Sequence, residues 1–272
     1  MKINNNQILV FGLLTFASII VLYPFFYMIM NSFKEGVDIL HYPTALPKSI
    51  SFSGYWDVIQ EINLGRIFFN TIFVSISVTF LNTIFSAMVA YAIVKTKLPS
   101  RELWLKIILA SMMIPAILFT IPTYMMMYDW GWINTYRVLI IPSAISAYNI
   151  FLMVQFMKQV DNAYLEAARI DGASEFRIFR KVILPMIKPA LATVGVLTFM
   201  NAWNDFMNPL LYVRDDSLMT LQLALYNFQT EVPGANLEQL WAMTTMIALP
   251  VVIVFFFLQN NFVKAFTGVG VK

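Results

Sequence analysis

Six apolar runs, each long enough to cross a bilayer, recur along a chain of 272 residues and leave no room for a separate soluble domain. They fall at about residues 8–30, 67–94, 107–127, 138–157, 190–213 and 241–263. A helix satisfies its own backbone polar groups, so an apolar run in hydrocarbon is read as helix. The expected fold is an all-α membrane protein with six transmembrane helices in a single polytopic domain. Composition agrees: 59% of residues are hydrophobic and 12% charged, with a mean hydropathy of +0.70. The first run lacks the short apolar core and small-residue cleavage site of a signal peptide, and reads as an uncleaved span bent near Pro24.

Charge sets the orientation. With the amino end inside, thirteen of the eighteen Lys and Arg fall in inner segments and five, Lys34, Lys48, Arg66, Arg137 and Arg214, in outer ones. The positive-inside rule therefore places both termini and the loop 158–189 in the cytoplasm. A net charge of +3, scattered along the chain, gives no footprint for nucleic acid. One His and no Cys leave little to bind a metal, and neither a phosphate loop nor a nucleophile motif occurs. No catalytic residue, bound cofactor or metal site is expected.

The loop 158–189 is the most charged stretch. Asp161 or Asn162 can cap a helix over Ala163–Ile170, and Gly172 suits the left-handed residue that ends it. Ser174 opens a second short helix that Pro185 is expected to stop. Leu165, Ala168, Ile170, Phe176, Phe179 and Ile183 supply apolar surface for burial against protein.

Within this loop Glu166-Ala167-Ala168, Asp171-Gly172-Ala173, Phe176, Phe179 and Ile183-Leu184-Pro185 resemble the EAA loop of permease subunits in binding-protein-dependent ABC importers. The spacing is most similar to the smaller maltose-permease-type subunit of the carbohydrate uptake branch. The run from Met113 to Pro142, with Gly131 and Asn134-Thr135, and the carboxyl-terminal FVKAFTGVGVK are similar to the same family. The resemblance implies a type I importer permease fold with a cytoplasmic coupling helix. Glu166, Ala167, Ala168, Asp171, Gly172, Ala173 and Phe176 would then dock on a cytoplasmic ATPase. It implies a second homologous permease as heterodimer partner, two ATPase subunits that hold ATP and Mg, and an external solute-binding protein. The solute would be a sugar or oligosaccharide, with polyols and glycerol phosphate carried by the same branch.

The second run carries Asn70, Ser75, Ser77 and Asn82. In the fifth, Asn201, Asn204, Asp205 and Asn208 recur at helical spacing beside Trp203. Polar groups in a span normally face protein or water, since a mid-membrane Asp costs about 2.5–3.5 kcal/mol. Two readings of the stripe stand side by side: a translocation pathway for hydroxyl-rich solute, with aromatic rings against sugar faces, or hydrogen-bonded packing between permease halves. Trp104, Trp130, Trp132 and Trp241 lie at span ends, as an interfacial belt requires. A secondary carrier would need buried coupling charges, and Asp205 is nearly alone in that respect.

Overall fold

The computed structural model describes residues 5–231 and 237–267, and the side chains of 9–229 and 237–253. Among these residues the secondary structure is helical throughout. The carboxyl-terminal stretch with its likeness to the importer family, residues 262–272, therefore lies wholly outside the described side chains. The chain divides into two compact units, one holding most of residues up to Gly65 with Ala224–Val252, the other built on Arg66–Leu223.

In the first unit α1 (Asn5–Ser32) runs without interruption through Pro24. A short α2 (Gly36–His41) and α3 (Ser53–Glu61) then occupy the polar segment expected outside the membrane. Lys34, 2% exposed, ties this segment together by donating to Asn31 Oδ1 at 3.0 Å and to the carbonyls of Tyr42 and Pro43. Burial pulls its pKa down, against the opposing pull of the Asp38 carboxylate. The last helix, written αC (Leu237–Thr267), contains the sixth apolar run and Pro250. Gly54 lets α3 touch its start: a Cβ there would lie 2.6 Å from the Glu238 carbonyl oxygen.

The second unit begins with α4 (Leu64–Lys95), 32 residues and about 48 Å long against a hydrocarbon core of about 30 Å. The remaining expected spans are broken. The third consists of α5 (Arg101–Ser111) and a segment Ala116–Asp129 containing α6 (Thr120–Asp129), bent by 90° across Pro115. Proline forces its predecessor out of the helical region and removes a donor, which accounts for the break. The fourth consists of α7 (Tyr136–Ile140), a tight turn at Pro142–Ala144 and α8 (Ala147–Lys158), bent by 40°. Pro115 and Pro142 sit at breaks, whereas Pro24, where the first run was expected to bend, and Pro250 lie inside continuous helices. The turn between the third and fourth runs holds Gly131 and Asn134 at φ +65 and +57. The Asn134 side chain accepts the backbone N–H groups of Arg214 and Asp215, fastening this turn to the end of the fifth run.

After α8 come α9 (Ala163–Ile170) and α10 (Glu175–Ile178). Pro185 does not stop this second helix, contrary to expectation. The chain passes through one wide turn at Phe179–Ile183 into α11 (Leu184–Met186), and only at Ile187 does it bend, by 81°, into α12 (Lys188–Trp203). The wide turn spaces the backbone so that the missing proline N–H leaves a continuous path. The fifth run breaks again after Trp203 and resumes as α13 (Met207–Tyr212), followed by α14 (Leu221–Glu231).

Two polar clamps cross this unit. Asn149 donates to Asn82 Oδ1 at 2.7 Å and to Thr198 Oγ1 at 2.9 Å, and Asn82 donates to the Ser143 carbonyl in the turn after Pro142, also at 2.9 Å. Asn70 donates to the carbonyls of Ser217 and Met219 and accepts from Tyr136. In hydrocarbon such amides have no water to fall back on, so their pairing holds α4, α8 and α12 in register.

Candidate functional site: the α9–α10 hairpin and the break in the fifth run

The hairpin of α9 and α10 is built locally. Asp161 accepts the N–H of Ala163 at 3.0 Å, while the Asn162 side chain turns away to accept from Lys95. At the other end Gly172 adopts φ +75. Its N–H reaches the Arg169 carbonyl and the Ala173 N–H reaches that of Ala168, each at 3.0 Å, closing a Schellman turn.

The apolar residues of the hairpin split into two sets. Leu165, Ile178, Phe179 and Ile183 are buried, packed with Ala87, Ala90, Tyr91 and Met157 in one core cluster, against which Ala168 and Ala173 also pack. Ile170, Phe176 and Tyr164 face outward, 87%, 66% and 57% exposed. Glu166, Ala167, Asp171 and Gly172 are exposed beside them. The hairpin thus turns one apolar face to its own chain and leaves three large apolar side chains uncovered on a segment that also exposes the Glu166 carboxylate.

A polar bracket fixes the hairpin to the end of α4. Arg169 donates through Nε to Glu175 Oε1 at 2.9 Å and through Nη2 to the Lys95 carbonyl at 2.9 Å. Tyr91 donates its hydroxyl to Glu175 Oε2, and Lys95 donates to the Val160 carbonyl and to Asn162 Oδ1. Hydrogen bonds from Arg169, then from Tyr91, hold the Glu175 carboxyl below its usual range, partly offset by desolvation. Desolvation lowers the Lys95 pKa, with Asp161 opposing. Sequence reasoning missed this bracket because Tyr91 and Glu175 are 84 residues apart and carry no local signal.

The polar stripe of the fifth run differs from the continuous helical face expected. The helix ends at Trp203, with Asn204 as its cap, and Asp205 lies in the break. Asp205 accepts the Asn208 N–H at 3.2 Å and its Nδ2 at 2.7 Å, so the carboxylate opens α13 instead of projecting from a helix side. Asn204 donates to the Met200 carbonyl at 2.8 Å and accepts from Gln222 at 3.2 Å. Asn201 and Asn204 are exposed, Asp205 and Asn208 half-buried. Trp203 is 1% exposed with its ring stacked on Phe199 at 5.5 Å, and therefore presents no face to a solute. Gln222, from α14, joins the cluster with nothing in its sequence context to announce it.

Residues 83–268 match the family described as binding-protein-dependent transport system inner membrane component. The arabinooligosaccharides transport system permease protein AraQ of Halalkalibacterium halodurans is 30% identical, over 94% of this chain and 93% of that protein. The sn-glycerol-3-phosphate transport system permease protein UgpE of Rhizobium meliloti is 31% identical, over 93% of each. A chain of a crystallised bacterial ABC transporter that imports the acidic polysaccharide alginate superposes with a TM-score of 0.84 at 29% identity, covering 93% of this chain and 95% of that one. With the family match extending over most of its length, the chain belongs to the inner membrane components of binding-protein-dependent transport systems and has the type I ABC importer permease fold.

Proposed function

We propose that this chain is one of two transmembrane subunits of an ATP-driven importer for sugars or oligosaccharides. A second, homologous permease completes the pathway, two cytoplasmic ATPase subunits bind ATP and Mg, and an external binding protein delivers the solute. Both termini and the α9–α10 hairpin lie in the cytoplasm, as the excess of Lys and Arg in those segments requires. The observation that carries the reading is the exposed apolar set Ile170, Phe176 and Tyr164, with Glu166 exposed on the same hairpin, which otherwise packs its apolar residues inward. Uncovered apolar side chains of this size on a polar, water-facing loop mark a protein interface. Glu166 pairs with a basic group of the ATPase, and Gly172 shapes the docking turn.

The solute passes the break at Asn204–Phe206, where Asn204 pairs with Gln222 and Asp205 with Asn208, Asn201 lying one turn earlier on α12. Unwound backbone at membrane depth is tolerated where it lines a cavity or is covered by protein. Amides and a single carboxylate suit the hydroxyl groups of a neutral sugar, whereas the carboxylate repels a phosphate and no cation stands among them to offset it, which supports a carbohydrate over glycerol phosphate.

The test is co-purification and uptake. Co-expressed with its partner subunits, the wild-type chain is expected to retain the ATPase on a column and, in vesicles, to take up a labelled oligosaccharide bound by the binding protein. Ile170→Asp and Phe176→Asp should release the ATPase while the chain still inserts. ATPase retention by both variants would refute the docking face, and uptake of glycerol phosphate alone would refute the sugar assignment.

A further inference from the structure

We infer that Tyr91 and Glu175 are positioning residues that fasten the docking hairpin to α4, so that α4 moves with the ATPase although no peptide link joins them. The inference rests on the reading that this hairpin docks on the ATPase. The hairpin is covalently continuous with α8 and α12, and any displacement of it pulls directly on those two helices. For α4 the connection is made of side chains. Its last turn is gripped at both ends of the hairpin: Lys95 holds Val160 and Asn162 ahead of α9, while Arg169 and Glu175 hold the Lys95 carbonyl and the Tyr91 hydroxyl behind it. The Lys95 carbonyl is one of the last four of its helix, which lack partners within the helix, so Arg169 caps α4 as well as bridging to Glu175. The apolar contact of Tyr91 with Phe179, rings 5.4 Å apart, keeps the two elements together but allows sliding. Hydrogen bonds fix direction and do not.

Tyr91→Phe removes one hydroxyl and leaves the ring contact, and Glu175→Gln removes a charge at a side chain that is 51% exposed, so both variants retain the packed core. Since the chain has no Cys, single nitroxides can be placed cleanly at Phe80→Cys on α4 and Leu197→Cys on α12. The assembled importer in lipid nanodiscs is compared with and without ATP–vanadate by electron paramagnetic resonance, with Ile170→Asp as a docking control.

In the otherwise unaltered protein both labels should respond to trapping. In Tyr91→Phe and Glu175→Gln the Phe80 response should fall about three- to tenfold, the equilibrium worth of one hydrogen bond, while the Leu197 response persists. A merely structural role would diminish both together. An undiminished Phe80 response in both variants, or parallel loss at both labels, overturns the inference. If Ile170→Asp still binds the ATPase and trapping moves neither label, the docking reading falls and takes the inference with it.

Discussion

Replacing Gly172 separates conformation from contact. The residue sits at φ +75, and beyond its chain neighbours a Cβ built on it meets no atom within 4 Å among the described residues. The whole intramolecular cost of a side chain there is therefore backbone strain. For Ala in the left-handed region that cost is about 1–2 kcal/mol; Val, branched at Cβ, pays more and Asn less. The strain falls on the Schellman turn and on the bonds from Gly172 and Ala173 that close it, so local opening of α9 should become easier. An energy of about 1–2 kcal/mol raises the open population about five- to thirtyfold, which native-state hydrogen exchange of peptides covering residues 163–178 reads directly. The expected order of protection is Gly, then Asn, then Ala, then Val, with ATPase retention on a column following the same order. If Asn and Ala lose the ATPase as completely as Val while exchange stays slow, the glycine is required for room against a partner, and the strain argument is wrong.

Three further outcomes are expected. Single cysteines at Ser100, Ser174 and Lys48 should divide by side in intact cells, an impermeant thiol reagent labelling only the Lys48 position; labelling at Ser174 would invert the topology. Asn82→Val and Asn149→Val should show a coupling energy of about 0.5–1.5 kcal/mol in a double-mutant cycle of detergent denaturation, in line with interhelical hydrogen bonds in membranes, and additivity would show that the amide pair is not a clamp. Glu175 has its carboxyl pKa depressed below the ordinary 4.5 by Arg169 and Tyr91. Its contribution is accordingly complete above that ordinary value and disappears as pH falls through the lowered one. Intrinsically corrected exchange in residues 163–176 should stay flat from about pH 7 to 5 and quicken only in stronger acid. Glu175→Gln should abolish that acid step, and a step near neutrality would contradict the assigned bracket.

Features encoded by neighbouring residues were legible in the sequence. The helix Ala163–Ile170 and the left-handed Gly172 follow from a capping carboxylate, good helix formers and a glycine within a dozen positions. The apolar runs follow from length alone, but their breaks do not. Pro115 and Pro24 look alike in sequence, yet one marks a right-angled bend and the other sits in an unbroken helix, and the residues beside each proline do not announce which. The fifth run misled for a related reason. Helical spacing places Asn201, Asn204, Asp205 and Asn208 on one face only if the helix continues, and where it ends Asn204 bonds to nearby backbone and Asp205 to Asn208. The partners of Glu175 and the arrival of Gln222 depend on folding distant segments together, and no local pattern encodes them.

The wide turn at Phe179–Ile183 also bears on how this chain tolerates change in length. It holds one residue more than a regular turn, so deleting a single residue there would restore an ordinary spiral while leaving the faces on either side nearly in phase. In an unbroken helix a one-residue slip turns every later face by about 100°, whereas here the wide turn takes up the difference and the face that α12 offers its neighbours is kept. The segment between α10 and α12 is thus a place where this chain can lose one residue without turning the helix that follows.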